Sequence, residues 1–472
     1  MASRLCRHLT GAARSFLISG NEGCPLERQL RAHALHEATN ALLRDEPQYS
    51  AAKVLTSAQR WGSVAFTLCL LCLVALSPRF GGLLLTGLVA AGYLANAAFR
   101  AWLFWVGADG PSASMVRVEE GRQWPVYTVL VPLYREANVV PQLAQAMRQL
   151  DYPRDRLDVK LVVEEDDPET VAEAELAASA YAFEVIIVPC GEPRTKPRAC
   201  NYALQFARGD FLVIFDAEDR PELHQLKEAV AAFRRLPEEV VCLQARLNFF
   251  NARECWLTRM FALDYALWFD FLLPGLDRLG VPMPLGGTSN HFRISALKAI
   301  HGWDPFNVTE DADLGIRLTR LGLRVRTLES TTYEEAPNET VHWVRQRTRW
   351  LKGYMQTWLV HMRNPVQLWR NAGAGGFFGF QLFVGGTVLS ALLNPLLWLI
   401  FVLSFFVDLP LPIFAGATHS ISGFGLLMGN ALFAYLAMLG PYRRGWLDLS
   451  PYALLVPVYW LLISVAAYRA LW

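Results

Sequence analysis

Charged residues are scarce in this sequence of 472 residues: Asp, Glu, Lys and Arg together make up 18%, and the formal net charge is +1. Proteins that bind nucleic acid through their overall field carry a strong basic excess, which this chain lacks. Cys69 and Cys72 form the spacing C-x-x-C, but the surrounding run of leucine offers no polar support for a metal ion. We therefore expect neither a nucleic-acid partner nor a cysteine metal site.

Apolar residues are abundant instead, at 53% of the chain, and they are concentrated in runs toward both ends. A helix needs about 20 apolar residues to cross a bilayer. Residues 61–107 contain two such runs, which predict a transmembrane hairpin. Residues 373–472 contain three more, and we divide the first, Gly373–Val407, into two crossings at Asn394-Pro395. The preferred total is six crossings. The alternative places one crossing and one surface helix in Gly373–Val407, for a total of five.

Residues 1–60 are polar and too rich in charge for a signal peptide. We predict a cytoplasmic N-terminal extension, with a disordered tail as the alternative. Basic residues before the first apolar run favour the cytoplasmic side, and the hairpin then returns residues 110–365 to that side. With six crossings Arg443 and Arg444 would lie outside, against this tendency, whereas five crossings place them inside.

Residues 110–365 have the pattern of an α/β domain. Four β-rich runs begin at Tyr127, Asp158, Phe183 and Asp210, and helical stretches such as Val139–Leu150 separate them. Strands that alternate with helices predict a mainly parallel sheet with helices on both faces. Ligands bind such sheets beyond the carboxyl ends of the strands, and two acidic clusters fall at such ends.

The first cluster is Glu164-Glu165-Asp166-Asp167, whose carboxylates could accept hydrogen bonds from a nucleobase or ribose. The second is Asp216-Ala217-Glu218-Asp219. Alternate carboxylates on a tight loop can point at one hard cation, and Mg²⁺ or Mn²⁺ held in this way bridges substrate phosphates. For each cluster taken alone, solvated charge at a strand end is the alternative.

Thr309-Glu310-Asp311 precedes an apolar helical pattern. One interpretation is a helix start, with Thr309 as N-cap and two acids favouring the helix dipole. The other makes Asp311 a general base that takes a proton from an attacking sugar hydroxyl. The glycines of the preceding loop, Gly286 and Gly287, allow the backbone to approach a ligand closely.

A basic aromatic segment, Trp343 to Lys352, contains Gln346-Arg347-Thr348-Arg349-Trp350. Guanidinium forks suit a pyrophosphate, and an indole offers a flat face to a sugar ring. The alternative is an interfacial helix whose arginines face lipid phosphates. The aromatic stretch from Phe249 to Phe271 also has two interpretations. It is either a helix that covers the sheet or lies on the membrane, or a platform for the acceptor.

The ordered set of acidic cluster, D-x-D, T-E-D and Q-x-x-R-W inside a membrane frame resembles the processive family 2 glycosyltransferases, the group of cellulose, chitin and hyaluronan synthases. The resemblance spans residues 61–472 and is nearest to bacterial cellulose-synthase-like proteins. It implies a GT-A, Rossmann-like α/β domain on the cytoplasmic side, inserted between transmembrane helices, in the bacterial inner membrane.

The resemblance also implies roles for individual residues. Asp166, or alternatively Glu165, would contact the uridine of a UDP-sugar, and Lys196 and Asn201 would form a second nucleotide-binding patch. Asp216 begins the D-x-D, whose second acid is Glu218, although the sequence D-x-E-D leaves Asp219 as a further metal ligand. Asp311 matches the catalytic base beside Glu310. The signature that holds the diphosphate and the acceptor end falls on Gln346, Arg349 and Trp350.

These expectations combine into one function: an inverting β-glycosyltransferase that uses a UDP-sugar and Mg²⁺ or Mn²⁺ to extend a polysaccharide and export it through the bilayer. One alternative is a single-transfer enzyme that acts on a lipid carrier. The other, from a different class, is a non-catalytic membrane receptor or scaffold on a transferase fold.

Overall fold

The computed structural model describes residues 25–108, 123–403, 405–406 and 417–472. The chain begins there with three helices, α1 (Pro25–Asp45), α2 (Ser57–Leu76) and α3 (Pro78–Ala108). An α/β domain follows, and it is succeeded by long apolar helices. The strands of the domain are β1 (Tyr127–Leu133), β2 (Leu157–Glu164), β3 (Glu184–Val188), β4 (Phe211–Ile214), β5 (Arg220–Pro221), β6 (Val240–Phe249), β7 (Asn290–Arg293) and β8 (Arg324–Glu334).

The remaining helices lie between these strands and after them. Those of the domain are α4 (Val140–Gln149), α5 (Pro168–Tyr181), α6 (Lys196–Leu204), α7 (Gln225–Arg235), α8 (Trp256–Leu267), α9 (Leu273–Leu279), α10 (Ile294–Ala299), α11 (Glu310–Arg320) and α12 (Thr340–His361). A π-helical turn, Trp268–Leu272, joins α8 to α9. The later helices are α13 (Pro365–Phe380), α14 (Gly386–Leu403), α15 (Ala417–Leu439) and α16 (Val456–Ala470).

The eight strands form one mixed sheet in the order β3-β2-β1-β4-β7-β6-β8-β5. The strands β1, β2, β3, β4, β6 and β8 run in one direction, because β4 and β6 are each antiparallel to β7 between them and β6 is parallel to β8. The mainly parallel sheet was predicted, whereas the antiparallel strands β5 and β7 were not. Since six strands share a direction, their carboxyl ends lie at one edge.

Side chains of the sheet alternate between two cores. In β1, Val129 and Val131 pack into a core with α4, α5 and α7, while the intervening Leu130 packs into the opposite core with α6, α10 and α11. This alternation follows from the period of two in a strand, and burial on both faces explains why the strand is a continuous apolar run.

The segment before the first apolar helix is packed onto the domain. Helix α1 lies against α6, and the amide of Asn201 donates to the carbonyl of Ala38 at 3.0 Å. Farther on, Ser50 and Ala51 donate to the buried carboxylate of Asp304. Residues 25–56 are therefore not a free tail; residues 1–24 lie outside the described part of the chain.

Five helical segments in the described ranges are long and apolar enough to cross a membrane: Ser57–Leu76, Phe80–Ala108, Pro365–Leu403, Gly423–Arg444 and Ser450–Ala470. The preferred division of Gly373–Val407 into two crossings is wrong. The helix continues through Pro395 without a turn, as apolar surroundings allow for an intramembrane proline. It is kinked instead at Gly373, whose φ is 69°. The structure therefore agrees with the alternative count of five.

Arg443 and Arg444, which the six-crossing count would place outside, lie against the α/β domain. Arg444 makes a two-fold ion pair with Asp270 at 2.6 and 2.7 Å, and Arg443 donates to the carbonyl of Asp270 at 2.9 Å. Since Asp270 belongs to the turn between α8 and α9, the segment that contains both arginines is on the same side of the helices as the domain.

Candidate functional site

A cavity of about 860 Å³ opens at the edge where the parallel strands end. Its wall is formed on one side by the loops after β4 and β8 and by the start of α11. On the other side it is formed by α12 and by the apolar helices α3, α14, α15 and α16. The cavity therefore joins the acidic end of the sheet to the space between the candidate membrane spans.

The first acidic cluster lies outside the wall of this cavity and faces it only through Arg194. Asp166 is 2.7 Å from a guanidinium nitrogen of Arg194, which also donates to the hydroxyl of Tyr134. Glu165 is held by Arg31 of α1 at 3.4 Å and by the backbone N–H of Cys190 at 3.1 Å. The two residues expected to contact a nucleoside are thus at the outer rim, already engaged by basic partners.

Lys196 and Asp216 meet inside the cavity. The Lys196 ammonium donates to a carboxylate oxygen of Asp216 and, at 2.9 Å, to the carbonyl of Gly287. Although burial opposes the charged form of Lys196, the neighbouring Asp216 raises the pKa of the lysine above its usual value. The lysine is therefore a permanent cation at the end of β4.

Asn201 does not lie in the cavity wall, and the expected grouping with Lys196 is not observed. Both residues are in α6, but the buried Asn201 amide donates to the carbonyls of Ala38 and Trp303 and accepts from the N–H of Trp303. Its side chain is thus fully used in holding α1 and the loop before α11. Geometry gives it a packing role in place of nucleotide contact.

The structure separates the two acids that follow Asp216 in the candidate metal loop. Glu218 lines the cavity. Asp219 is buried and turned back, because one of its oxygens accepts from the backbone N–H of Asp216 at 2.7 Å and from the hydroxyl of Thr288. Asp219 therefore shapes the loop, and the expectation that it faces a metal together with Glu218 does not match its orientation.

No group of three or more His, Cys, Asp or Glu in the part of the chain that the structure describes is arranged to hold a metal ion. Asp216 and Glu218 nevertheless suit the kind of site in which Mg²⁺ takes one or two carboxylates and completes its shell with water and substrate phosphates. Burial and the adjacent Asp216 raise the pKa of Glu218. A divalent cation at this point would relieve that repulsion.

Glu310 and Asp311 begin α11 and face the same cavity. Burial, with the neighbouring Asp311 next in importance, raises the pKa of Glu310 to about 8. Burial raises the pKa of Asp311 to about 6. One Asp311 oxygen accepts from the N–H of Ala312 at 2.7 Å, which leaves the other free. A Cβ on Gly287 would lie 3.2 Å from that second oxygen, so glycine keeps the space before it open.

The basic aromatic segment forms α12, and its residues divide by burial. Arg345 and Lys352 are exposed, whereas Trp343 is fully buried against Tyr459. Gln346, Arg347, Arg349 and Trp350 line the cavity. The three residues that the resemblance singled out are therefore brought together, and Trp343 is a core residue instead of a sugar platform.

Two members of this group carry unused hydrogen-bonding capacity. The side-chain oxygen of Gln346 is buried without a partner, and the Arg349 guanidinium makes no hydrogen bond or ion pair with any described residue. Buried polar atoms are normally satisfied, so the Gln346 oxygen is available to a ligand in the cavity. Trp350 packs against Tyr265 with ring centroids 6.3 Å apart and an interplanar angle of 29°.

Sequence reasoning missed Glu334, which lines the cavity, and it counted Arg347 among the arginines suited to a pyrophosphate without finding its acidic partner. Arg347 is held by Asp264 and by the Tyr459 hydroxyl. Glu334 ends β8, and its carboxylate makes no hydrogen bond or ion pair with a described residue. Burial and three neighbouring carboxylates raise its pKa well above the usual value. The sequence offered no such signal as the apolar runs before Glu164 and Asp216, because Glu334 follows the polar residues Ser330-Thr331-Thr332-Tyr333.

A model of the glycosyltransferase like family 2 matches residues 125–353, from the residues just before β1 to the middle of α12. That range contains every strand of the sheet and every motif of the site. This part of the chain is therefore similar to family 2 glycosyltransferases. The fold is GT-A, as expected, and the protein is a glycosyltransferase.

The chain is similar to named glycosyltransferases along much of its length. It is 26% identical over 363 residues to the probable glycosyltransferase YdaM of Bacillus subtilis, a match that covers 72% of this chain and 84% of the relative. It is 28% identical over 238 residues to a probable glucomannan 4-beta-mannosyltransferase of Arabidopsis thaliana, covering 49% of this chain and 43% of the relative. The beta-monoglucosyldiacylglycerol synthase of Trichormus variabilis is 27% identical over 250 residues, with coverages of 51% and 52%.

The chain spans only about half the length of these last two relatives. Among solved structures, the mannosyltransferase PcManGT of Pyrobaculum calidifontis, in complex with GDP-Man and Mn²⁺, aligns over 83% of this chain and 99% of its own, with 19% identity and a TM-score of 0.47. The enzyme class therefore rests on the sequence matches, which do not identify the acceptor.

Proposed function

We propose that this glycosyltransferase is membrane-embedded and inverting, and that it transfers a sugar from a UDP-sugar to a growing polysaccharide. The single observation that carries the proposal is the cavity itself. It runs without interruption from the acidic strand ends, where a nucleotide-sugar would bind, to polar side chains between the apolar helices. A product formed at Asp311 would already be at the entrance to that space.

The reaction follows from the arrangement of side chains. An acceptor hydroxyl attacks the anomeric carbon of the donor, and the bond between that carbon and the diphosphate oxygen breaks. The hydroxyl proton goes to the free oxygen of Asp311, whose raised pKa strengthens it as a base. Attack from the face opposite the leaving group inverts the anomeric configuration.

Lys196 and Arg349 would neutralise the departing diphosphate. A Mg²⁺ or Mn²⁺ ion bound by Asp216 and Glu218 would supply further charge stabilisation to the leaving oxygens when present. Glu310, with a pKa of about 8, is protonated at neutral pH, so it adds no negative charge beside the base. Asp166 and Glu165 would contact the nucleoside after exchanging their basic partners.

We also propose that the domain is on the cytoplasmic side of a bacterial inner membrane. Basic residues are frequent before the first span, and Arg443 and Arg444 lie on the same side as the domain. Positively charged residues favour the cytoplasmic side. Nucleotide-sugars are cytoplasmic metabolites, which fits the same orientation.

A second candidate is a single transfer to a lipid acceptor. Its support is that the cavity is bounded by membrane helices, and that one relative is named as a beta-monoglucosyldiacylglycerol synthase. The cavity admits either acceptor by position, so product length is the property that separates them.

The test is a UDP-release assay on purified full-length protein in nanodiscs with a panel of UDP-sugars. Release that depends on one donor and on Mg²⁺ or Mn²⁺ is expected, with a product that lengthens with time. A product of fixed length would favour the lipid acceptor. Binding of UDP without release for any donor would contradict both and leave the non-catalytic receptor. Release from a GDP-sugar alone would contradict the donor assignment.

A further inference from the structure

Arg100 is a charged side chain within the candidate membrane span Phe80–Ala108, toward the end that leads to the domain. Its guanidinium lines the cavity. One terminal nitrogen donates to the hydroxyl of Thr387 at 2.5 Å, and Nε is 3.5 Å from the amide oxygen of Asn96. The rings of Phe383 and Phe433 lie on two sides, with centroids 5.4 and 5.5 Å away. The side chain is thus anchored by neutral groups.

No carboxylate forms an ion pair with Arg100 among the residues described. The acid in electrostatic range is Asp264, and that carboxylate is already bound by Arg347 and the Tyr459 hydroxyl. Two arginines therefore share one acid, and this part of the cavity carries a net positive charge. Charges within membrane spans are costly, and they mark sites where they pair or face a ligand pathway, so the occupant of the cavity is the partner that this arrangement favours.

The surroundings of Arg100 indicate which kind of ligand in the cavity it would contact. Tyr354 is within electrostatic range of both Arg100 and Asp311, and all three line the same cavity. The donor diphosphate belongs at the other end of the cavity, beside Lys196 and Asp216. The polar groups next to Arg100 are Asn96, bonded to Ser390 at 2.9 Å, and Thr387. They can bind hydroxyls but supply no negative charge.

We propose that Arg100 binds an anionic group, phosphate or carboxylate, carried by the acceptor beyond its attacking hydroxyl. This inference rests on the proposed function and adds that the acceptor is charged. A phosphate would belong to a phospholipid or lipid-linked acceptor, and a carboxylate to an acidic glycan. In both, the planar guanidinium makes a two-fold bond to the oxyanion, and the surrounding phenylalanine rings strengthen that bond by excluding water.

The test compares matched acceptors that differ in charge. Octyl glucoside and octyl glucuronide form the glycan pair, and diacylglycerol and phosphatidylglycerol form the lipid pair. UDP release gives the acceptor KM for wild type, Arg100→Gln, which retains a donor for Thr387, and Arg100→Lys, which retains charge. Arg469→Gln, at an exposed arginine in the last turn of α16, is the control. Tryptophan fluorescence measures acceptor binding without turnover, since Trp268, Trp350 and Trp460 line the cavity.

We expect the charged member of one pair to bind at least tenfold more tightly to wild type. Arg100→Gln should remove that preference while leaving the neutral acceptor and UDP affinity unchanged, and Arg100→Lys should restore part of it. The responding pair distinguishes phosphate from carboxylate. Equal affinity for both members of each pair in wild type, or equal weakening of both by Arg100→Gln, overturns the inference. Charge-selective binding without UDP release for any donor would instead contradict the proposed function and retain the site.

Discussion

The two sides of the cavity differ in charge. The sheet side carries Asp216, Glu218, Glu310, Asp311 and Glu334, with Lys196 as the cation among them. The side next to the apolar helices, called the membrane side here, carries Arg100 and Arg347, with Asp264 as the acid. Both surfaces belong to one cavity, so a substrate that spans it meets negative charge at one end and positive charge at the other.

This difference shows what each side requires from its ligand. A diphosphate bound beside Asp216, Glu218 and Asp311 requires an accompanying cation, whereas the membrane side already supplies cations and lacks an anion. Burial raises the pKa values of Glu218, Glu310 and Glu334, and the neighbouring carboxylates raise them further.

Removing the base on the sheet side should have the largest effect. Asp311→Asn retains the shape of the side chain and cannot accept a proton, so we expect turnover to fall by about 10²–10⁴-fold with UDP affinity nearly kept. In wild type, kcat/KM should fall as the pH drops below about 6, because Asp311 then becomes protonated. Asp155→Asn, at an exposed acid, is the control. More than a tenth of wild-type turnover in Asp311→Asn would remove the residue from this role.

The second prediction concerns the cation that the sheet side requires. EDTA should abolish UDP release, and Mg²⁺ or Mn²⁺ should restore it. Glu218→Gln should lower turnover by about 100-fold and weaken the apparent affinity for the metal. Asp219→Asn should leave metal affinity close to wild type, because its carboxylate is turned toward Thr288. Undiminished activity in EDTA would refute the metal site, and a larger metal effect in Asp219→Asn would reverse the assignment of the two acids.

The third prediction concerns α12 and separates binding of the diphosphate from contact with the acceptor. Arg349→Lys should weaken UDP binding about tenfold, because a point charge cannot reproduce a planar fork on a diphosphate. Trp350→Ala should leave UDP binding unchanged and lower transfer, because the indole forms part of the aromatic wall with Tyr265. Isothermal titration with UDP and the release assay measure the two quantities. The same UDP affinity in wild type and Arg349→Lys would favour arginines that merely anchor lipid head groups.

The smallest effect on activity should come from Asn201, outside the cavity. Asn201→Ala removes three hydrogen bonds that hold α1 and the Trp303 loop, which should cost about 3 kcal/mol of stability with the KM for the donor unchanged. Thermal unfolding and donor kinetics check this pair of outcomes. A rise in donor KM without loss of stability would return Asn201 to the nucleotide site.

The parallel half of the fold could be predicted because its signals are local. The runs that became β1 to β4 are apolar on both faces and end at recognisable acids, so burial and strand ends follow from a few adjacent residues. The strands β5 and β7 could not be found in this way. They are two and four residues long, and they exist because neighbouring strands satisfy their backbone groups.

Within the site, the sequence located Asp216, Asp311 and Gln346 through Trp350, since each lies in a compact motif. The sequence left both Glu218 and Asp219 as candidates for the second metal ligand. The directions of adjacent side chains on a loop depend on the hydrogen bonds that they make in the folded protein. Asp219 finds Thr288, which lies far along the chain. Asn201 was misassigned for the same reason: the partners that occupy its amide come from α1 and from the Trp303 loop.

The sequence alone was enough to predict the long apolar helices, the parallel sheet and the order of the chemical motifs, because hydrophobic length, strand periodicity and motif chemistry depend on residues close together in the chain. Only the tertiary structure decided that the apolar run through Pro395 is one helix and that α1 is packed onto the domain. It also decided that Arg100 of a membrane helix faces the same cavity as Asp311. These features depend on contacts between residues distant in sequence, and the free energy of such contacts exists only once the chain has brought them together.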